Sequence, residues 1–198
     1  MRIVSTTRAA CALVLIGALA GCATLQQYLA LRQVDFSLDR VADARLADVP
    51  LARIASFRDL TASEAGRLIA TLAAGTAPLE FTVEVGASNP ADNRTDARLT
   101  RLEWLLLLDD RETVRGVIDS THVLPAGQPV TIPVRVNLDM MEFFSGSAEQ
   151  IVNLAAGLVG LRGDPTRITL ELLPRIETPL GSLTPPQPIR VSGSAPAR

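Results

Sequence analysis

Hydrophobic and polar residues alternate along several stretches of this chain, as in half-buried β-strands. The clearest alternation runs from about 79 to 87, and Asn89-Pro90 ends it. A second alternating stretch, from about 130 to 138, follows a turn at Pro125-Ala126-Gly127. Pro133 lies within it and has no amide hydrogen to donate, so we expect an edge strand or a bulge there.

Five further segments carry weaker strand signals. The segment after 97 places Leu102, Trp104 and Leu106 on one face, and its second half is apolar on both faces. A strand that is apolar on both faces is typically central in its sheet. The acidic run from Asp109 to Glu112 predicts a hairpin turn into the following strand. The five strands are predicted at about 34–39, 97–108, 113–122, 168–172 and 189–191.

Two capping-box patterns predict the helices. Thr61-Ala62-Ser63-Glu64 precedes apolar residues at helical spacing, which predicts a helix at about 61–74. Ser147 and Gln150 frame the second box, which opens a helix at about 147–161.

The second predicted helix is apolar on nearly every side, so we expect little contact with water. One interpretation is that it is buried against an open end of the sheets. The other is that it is a lid over an apolar cavity or a contact for lipid or a partner. Under that second interpretation, Ile151, Leu154 and Leu158 are the candidate contact residues.

Many short alternating strands with only two helices predict a mainly β fold, an antiparallel β-sandwich. A parallel sheet would need a helix after nearly every strand.

The N-terminus has the three parts of a secretory signal. Arg2 and Arg8 give a positive start, and residues 9–20 form an apolar run. That run is shorter than the roughly 20 residues that cross a bilayer as a helix. Leu19-Ala20-Gly21-Cys22 then matches the bacterial lipobox, in which the cysteine carries lipid. The alternative is an uncleaved anchor helix with an incidental cysteine.

The lipobox sets the predicted domain organisation and location. The predicted segments are a signal peptide at 1–21, a lipidated tether at 22–32, a folded domain at 33–192 and a loose tail at 193–198. The resemblance to lipoproteins implies a diacylglyceryl thioether on Cys22, with acyl chains such as palmitate, that anchors the chain to the membrane. Ala23 after the cysteine implies the outer membrane, facing the periplasm.

Composition narrows the chemistry. The formal net charge is −2 and lysine is absent, so no basic patch indicates nucleic acid as a partner. Cys11 would leave with the signal peptide and Cys22 would carry lipid. We therefore expect neither a disulfide nor a thiolate metal site, and no cofactor besides the covalent lipid.

Catalytic motifs are not found in the sequence, so we expect a protein that is not an enzyme. His122 is the only histidine, and a lone histidine is more often structural than a ligand. Asp109, Asp110 and Glu112 form either a solvated hairpin tip or a cation site, and hairpin chemistry favours the tip. Trp104 is expected in the core, with an aromatic ligand platform as the alternative.

The order of these signals resembles the LEA14-like family, also called late embryogenesis abundant group 2 or the WHy domain. The resemblance covers roughly 34–192, and the segment 50–76 with its helix is an addition to the minimal domain. In order, the matching features are Val34-Asp35-Phe36, Asn89-Pro90, Trp104 with Asp109-Asp110, Leu124-Pro125-Ala126-Gly127 and Thr178-Pro179-Leu180-Gly181.

The resemblance implies a fibronectin-III-like β-sandwich with no catalytic residues, in which Asn89 and Pro90 form a structural corner. It also implies a link to desiccation or stress tolerance, through binding or protection of lipids or stress-exposed proteins. The predicted function is that of a membrane-anchored, non-catalytic envelope lipoprotein. The alternative is a structural or assembly partner of an envelope complex.

Overall fold

The computed structural model describes residues 29–93, 95–144, 146–158, 160–161, 167–178 and 181–194, without the side chains of 176–178, 181–183 and 194. The predicted lipobox, Leu19 to Cys22, lies outside the described residues.

The described residues contain eleven strands, a helical segment at 29–32 and three further α-helices, and the strand pairings are antiparallel. The helices are α1 (Ala62–Ala73), α2 (Met140–Phe143) and α3 (Ala148–Leu158). The strands are β1 (Asp35–Leu46), β2 (Val49–Pro50), β3 (Pro78–Ser88), β4 (Ala97–Leu99), β5 (Arg101–Leu108), β6 (Arg111–Ile118), β7 (His122–Leu124), β8 (Pro129–Asp139), β9 (Arg167–Thr178), β10 (Gly181–Leu183) and β11 (Ile189–Ser194).

Two sheets form the sandwich. The first sheet has the strand order β2-β1-β3-β8, and the second has the order β10-β9-β5-β6 with β11 also paired to β9. β8 is an edge strand, as Pro133 predicted, and β5 is central, as its apolar faces predicted. The predicted antiparallel β-sandwich is confirmed.

The predicted strand at 97–108 is wrong as a single element, because the chain changes partners at Thr100. β4 pairs with β7 in a small separate sheet, whereas β5 joins the second sheet. The amide and the hydroxyl of Thr100 both donate to the carbonyl of Arg175, at 3.1 and 2.9 Å. For the same reason, the predicted strand at 113–122 is divided into β6 and β7.

The hairpin between β5 and β6 is tighter than predicted. Asp109 and Asp110 alone form the turn, both with positive φ, and Arg111 already pairs with Leu108. Two consecutive residues with positive φ match the right-handed twist of a hairpin. The same geometry at Ala47 and Asp48 joins β1 to β2, a turn that the sequence pattern did not reveal.

The core fills the space between the two sheets. β3 and β8 contribute inward-facing valines, and β5 contributes Leu102, Trp104 and Leu106. The ring of Trp104 lies over Gly116 on β6, its cross-strand neighbour. A Cβ at that glycine would come within 2.3 Å of the indole, so the absent side chain makes room for the ring.

The sandwich has two unlike ends. At the loop end, β1 begins, β3 ends and β8 begins, because Asp35 and Pro129 both register with Ser88. At the helical end, β1 ends and β3 begins beside the end of β8, with Pro78 opposite Asp139. The insertion 47–77 and the segment 140–158 leave from this second end, and α1 contacts α3 there.

A buried hydrogen-bond network closes the loop end. The Nδ2 of Asn89 donates to the carbonyls of Leu124 and Thr95, at 2.8 and 3.2 Å. The Nδ2 of Asn93 donates both to the Oδ1 of Asn89 and to the carbonyl of Ala30, the latter at 3.1 Å. Buried polar groups are costly unless paired, so this network fixes the corner that Asn89-Pro90 predicted.

The domain begins before the predicted boundary at 33. Residues 29–32 are helical, and Ala30, Leu31 and Val34 are buried in the core. Consequently, the part of the predicted tether from Ala30 onward is packed against the domain. At the other end of the domain, β11 extends to Ser194, two residues into the predicted tail.

Both predicted helices are confirmed. The Thr61 capping box opens α1, with the Thr61 amide donating to Glu64 at 2.9 Å. The Ser147 box opens α3, with the Ser147 amide donating to Gln150 at 2.8 Å. α3 ends at Leu158, three residues before the predicted end.

Candidate binding face

The outer face of the second sheet carries apolar side chains where a solvated strand would present polar ones. The alternation of β5 points Leu105 outward, and Val117 on β6 and Leu173 on β9 share that face. Val117, near the end of the edge strand β6, is 48% exposed.

These residues form the floor of an open groove of about 490 Å³. The groove runs across β6, β5 and β9, and Pro188, just before β11, closes one side. Its lining comprises Glu103, Trp104, Leu105, Arg115, Gly116, Val117, Glu171, Leu173 and Pro188. An apolar floor with a few polar groups around it is the usual composition of a ligand site.

Charged side chains alternate with the apolar ones, since Glu103 lies between Val117 and Leu173, and most of these charges are paired. Glu103 accepts from Arg175 at 2.8 Å and lies 3.5 Å from Arg101. On the other side of the floor, Glu171 pairs with Arg190 at 2.5 Å. Because these partners neutralise one another, the groove has no strong field that would favour a highly charged ligand. An apolar ligand or an unfolded apolar segment suits such a site better.

The outer face of the first sheet is different in kind. Arg40 on β1 donates two hydrogen bonds to Glu84 on β3, both at 2.7 Å, which is the bidentate geometry of an arginine–carboxylate pair. The hydrogen bond from Arg40 lowers the pKa of Glu84, with a smaller Coulombic effect in the same direction. Thr82, Arg135 and Asn137 continue this polar surface. The apolar groove is therefore a property of the second sheet and not of both outer faces.

Trp104 is a core residue, as expected, with 7% of its surface exposed. It lines both the groove and a second opening where the edges of β6 and β8 approach each other. The interpretation of Trp104 as a solvent-facing aromatic platform does not fit this burial.

The three candidate contact residues on α3 do not share one environment. Ile151 and Leu158 are buried within the core cluster, whereas Leu154 is partly exposed and packs against that cluster. Burial against the helical end of the sheets therefore describes α3, and Leu154 alone among the three keeps accessible surface. Ligand contact at Leu154 stays a prediction.

The acidic hairpin tip interacts with an arginine. The Oδ1 of Asp109 accepts from the backbone amide of Arg167 at 3.1 Å. The Oδ2 of Asp110 lies 3.5 Å from the guanidinium of the same arginine. Within the described ranges, no three histidine, cysteine, aspartate or glutamate side chains are grouped as metal ligands would be.

The structure brings together one pair that sequence reasoning missed. The hydroxyl of Ser120 lies 3.1 Å from the Nε2 of His122, in the turn between β6 and β7. A catalytic base also needs a group that orients its other ring nitrogen. No described carboxylate is hydrogen-bonded to that nitrogen, so the pair does not by itself form a nucleophile–base unit.

The groove itself was also missed, although a sequence signal for it exists. The apolar second half of β5 predicts a central strand, and β5 is central. Leu105 points outward on this strand, however. Its cross-strand neighbours on that face are the charged residues Arg115 and Glu171. The sequence pattern does not show which strands pair. It therefore does not show which side chains flank Leu105 on the outer face.

Among the residues that the structure describes, none of the helices is long and apolar enough to span a membrane.

No protein-family model and no curated protein matches this sequence. A crystal structure of a protein from Archaeoglobus fulgidus is 13% identical over 82% of this chain and 98% of that one, with a TM-score of 0.38. A solution structure of a protein described provisionally as late embryogenesis abundant (LEA) is 13% identical over 96% of this chain and 87% of that one, with a TM-score of 0.39. At these values neither likeness transfers a function to this chain.

Proposed function

We propose that this chain is a lipid-anchored, non-catalytic binding module of the bacterial cell envelope, and that its groove on the second sheet holds apolar groups of lipids or of partly unfolded proteins. The observation that carries the proposal is the exposed side chain of Val117 together with the half-buried side chains of Leu105 and Leu173, which line one groove with Glu103. Apolar side chains gathered in a groove with a few polar groups are typical of a ligand site.

The anchor part of the proposal rests on the sequence. Leu19-Ala20-Gly21-Cys22 supplies the lipidation signal, and Ala23 favours the outer membrane. The resemblance to the LEA14-like family extends the proposal to protection during desiccation or related stress. Covalent lipid is the one non-protein group that the proposal requires.

Val117→Asp tests the groove. The valine is half exposed, so an aspartate there keeps its charge in water and the fold intact, but it puts a carboxylate into the apolar floor. The matched control is Val123→Asp on β7, where the valine is 42% exposed and lies outside the residues that line the groove.

The measurements use residues 23–198 secreted to the periplasm. Native mass spectrometry detects a bound lipid as a discrete added mass that extracts into organic solvent. Light scattering of heated malate dehydrogenase detects protection of an unfolding protein. We expect the wild type and Val123→Asp to show the same activity in at least one assay, and Val117→Asp to lose it. A bare monomer mass with no protection by the wild type contradicts the proposal, and so does equal activity of the two variants.

A protein partner is the second candidate, and the edge of β6 favours it. β6 ends the second sheet and contains no proline, whereas β8, the neighbouring edge strand of the first sheet, contains Pro129 and Pro133. A partner strand added to β6 would also cover Val117. A photo-crosslinking residue at Val117 in intact cells distinguishes the two: one dominant band supports an assembly partner, and a diffuse pattern supports many clients.

A further inference from the structure

The short chain segment between the lipid and the domain limits how the domain can be oriented at its membrane. Cys22 precedes Ala30 by eight positions. A fully extended chain of that length reaches at most about 26–29 Å. Ala30 is fixed in the domain, since it is buried and its carbonyl accepts from Asn93. The distance from the lipid to Ala30 therefore cannot exceed this reach.

Ala30 lies at the loop end of the sandwich, because Asn93 and Asn89 join it to Leu124 and Thr95. The helical end is far from it. β3 alone runs between the two ends over eleven residues. At the rise of an antiparallel strand this is about 34 Å.

We infer that the domain does not stand on its helical end, and that the loop end is the end held nearer to the bilayer that carries the anchor. If the domain stood on its helical end, Ala30 would be held farther from the surface than the chain from Cys22 can reach. This inference rests on the lipidation of Cys22 in the proposed function. The partner of the loop end is a lipid surface.

The consequence concerns the apolar side chains of the helical end. Ile69 on α1 and Met141 and Phe143 on α2 are exposed there, and each could be taken for a membrane contact. When the loop end is the nearer end, the short tether keeps these side chains away from the bilayer that carries the anchor. The groove around Val117 lies along the side of the sandwich, so apolar clients approach it from the aqueous compartment.

Energy transfer to the membrane surface tests the orientation. Asp92→Cys at the loop end and Arg67→Cys on α1 introduce label sites at exposed residues that form no ion pair with another described residue. The lipidated full chain, with a donor dye at one site, is placed in phosphatidylethanolamine–phosphatidylglycerol vesicles with an acceptor on the headgroups. We expect about twofold higher transfer from position 92, because the two ends differ by about 34 Å in height.

A longer tether is the control. Twenty glycine and serine residues inserted after Gln26 leave the domain unchanged and extend the reach far beyond the length of the sandwich. The transfer from the two labelled positions should then become nearly equal.

Four outcomes overturn the inference. Equal transfer from both positions with the native tether, or higher transfer from position 67, contradicts the orientation. A difference that persists with the long tether shows that contact, and not chain length, sets it. The mass of the N-terminal peptide is measured in parallel: if Cys22 carries no lipid, the anchor itself fails and the inference falls with it. In the other cases the lipid is present: equal or reversed transfer makes the orientation wrong, and a persisting difference makes its cause wrong.

Discussion

One glycine, Gly116, determines how Trp104 packs. Gly116 is the cross-strand neighbour of this tryptophan, and the indole occupies the place of the missing side chain. Nothing in the local sequence of β6 indicates that requirement, because Thr-Val-Arg-Gly-Val is an ordinary strand with one weak residue. The glycine is explained only by the ring opposite it.

Gly116→Ala should destabilise the protein by about 1–3 kcal/mol, since the new methyl group forces the ring out of its packed position. Urea unfolding followed by fluorescence measures this directly, because Trp104 is the only tryptophan. Gly66→Ala is the matched control: no atom lies within 4 Å of its Cβ position. That change lies within α1 and should stabilise it by up to about 1 kcal/mol. Equal effects of the two substitutions would contradict the packing argument.

At the scale of the element, α1 depends on one carboxylate. Glu64 accepts from the amide of Thr61 at 2.9 Å and from its hydroxyl at 2.7 Å, and Arg53 also donates to it. These contacts, with the Thr61 amide first, lower the pKa of Glu64 to about 2. A group whose pKa is lowered by folding stabilises the protein above its unfolded pKa and loses that contribution as the pH falls.

Glu64→Gln should therefore cost stability at neutral pH and progressively less below the ordinary glutamate value of 4.5, down to about 2. The glutamine keeps an acceptor oxygen for the cap but has no charge for Arg53. Urea unfolding of both proteins between pH 7 and pH 2 gives the difference in free energy of unfolding. A difference that stays constant over this range would show that the charge of Glu64 does not contribute.

α3 gives a second prediction at this scale, and it concerns whether its apolar residues are structural. Leu158 is fully buried, whereas Leu154 is only partly so. Leu158→Ala should lower the free energy of unfolding by about 2–5 kcal/mol, and Leu154→Ala by distinctly less. Thermal and urea unfolding measure both. If Leu154→Ala reduces lipid binding while stability is retained, Leu154 is part of a binding surface.

At the scale of the whole molecule, the chain has an apolar side and a polar side, together with a loop end and a helical end. The apolar groove lies on the outer face of the second sheet, and the Arg40–Glu84 pair lies on the outer face of the first. The N-terminal segment enters at the loop end. The positions of the two ends and of the groove relative to the proposed anchor are therefore set by the fold.

Cys22→Ser tests that anchor. Without the thiol no thioether can form, so we expect the protein to lose the lipid mass and to leave the membrane fraction. Detergent phase partitioning and mass spectrometry of the N-terminal peptide measure the two effects. Cys11→Ser is the control and should change neither, because position 11 lies in the predicted signal peptide. Membrane retention of Cys22→Ser would support the uncleaved anchor helix.

The sequence alone determined the strand and helix positions wherever one periodicity ran unbroken, as from 79 to 87 and through both capping boxes. It also determined the turn residues and the mainly β class. These are local properties, since alternation and capping depend on neighbours a few positions apart. The predicted lipid signal is local in the same way.

Only the tertiary structure decided the break at Thr100, the glycine beneath Trp104 and the groove. Each depends on residues far apart in the chain. Thr100 bonds to Arg175, Trp104 packs on Gly116, and the pairing of β5 with β9 brings Leu105 and Leu173 into one groove. A period of two shows that one face is apolar, but strand pairing determines what covers it. The proposed binding face is therefore a product of pairing, and no single segment contains it.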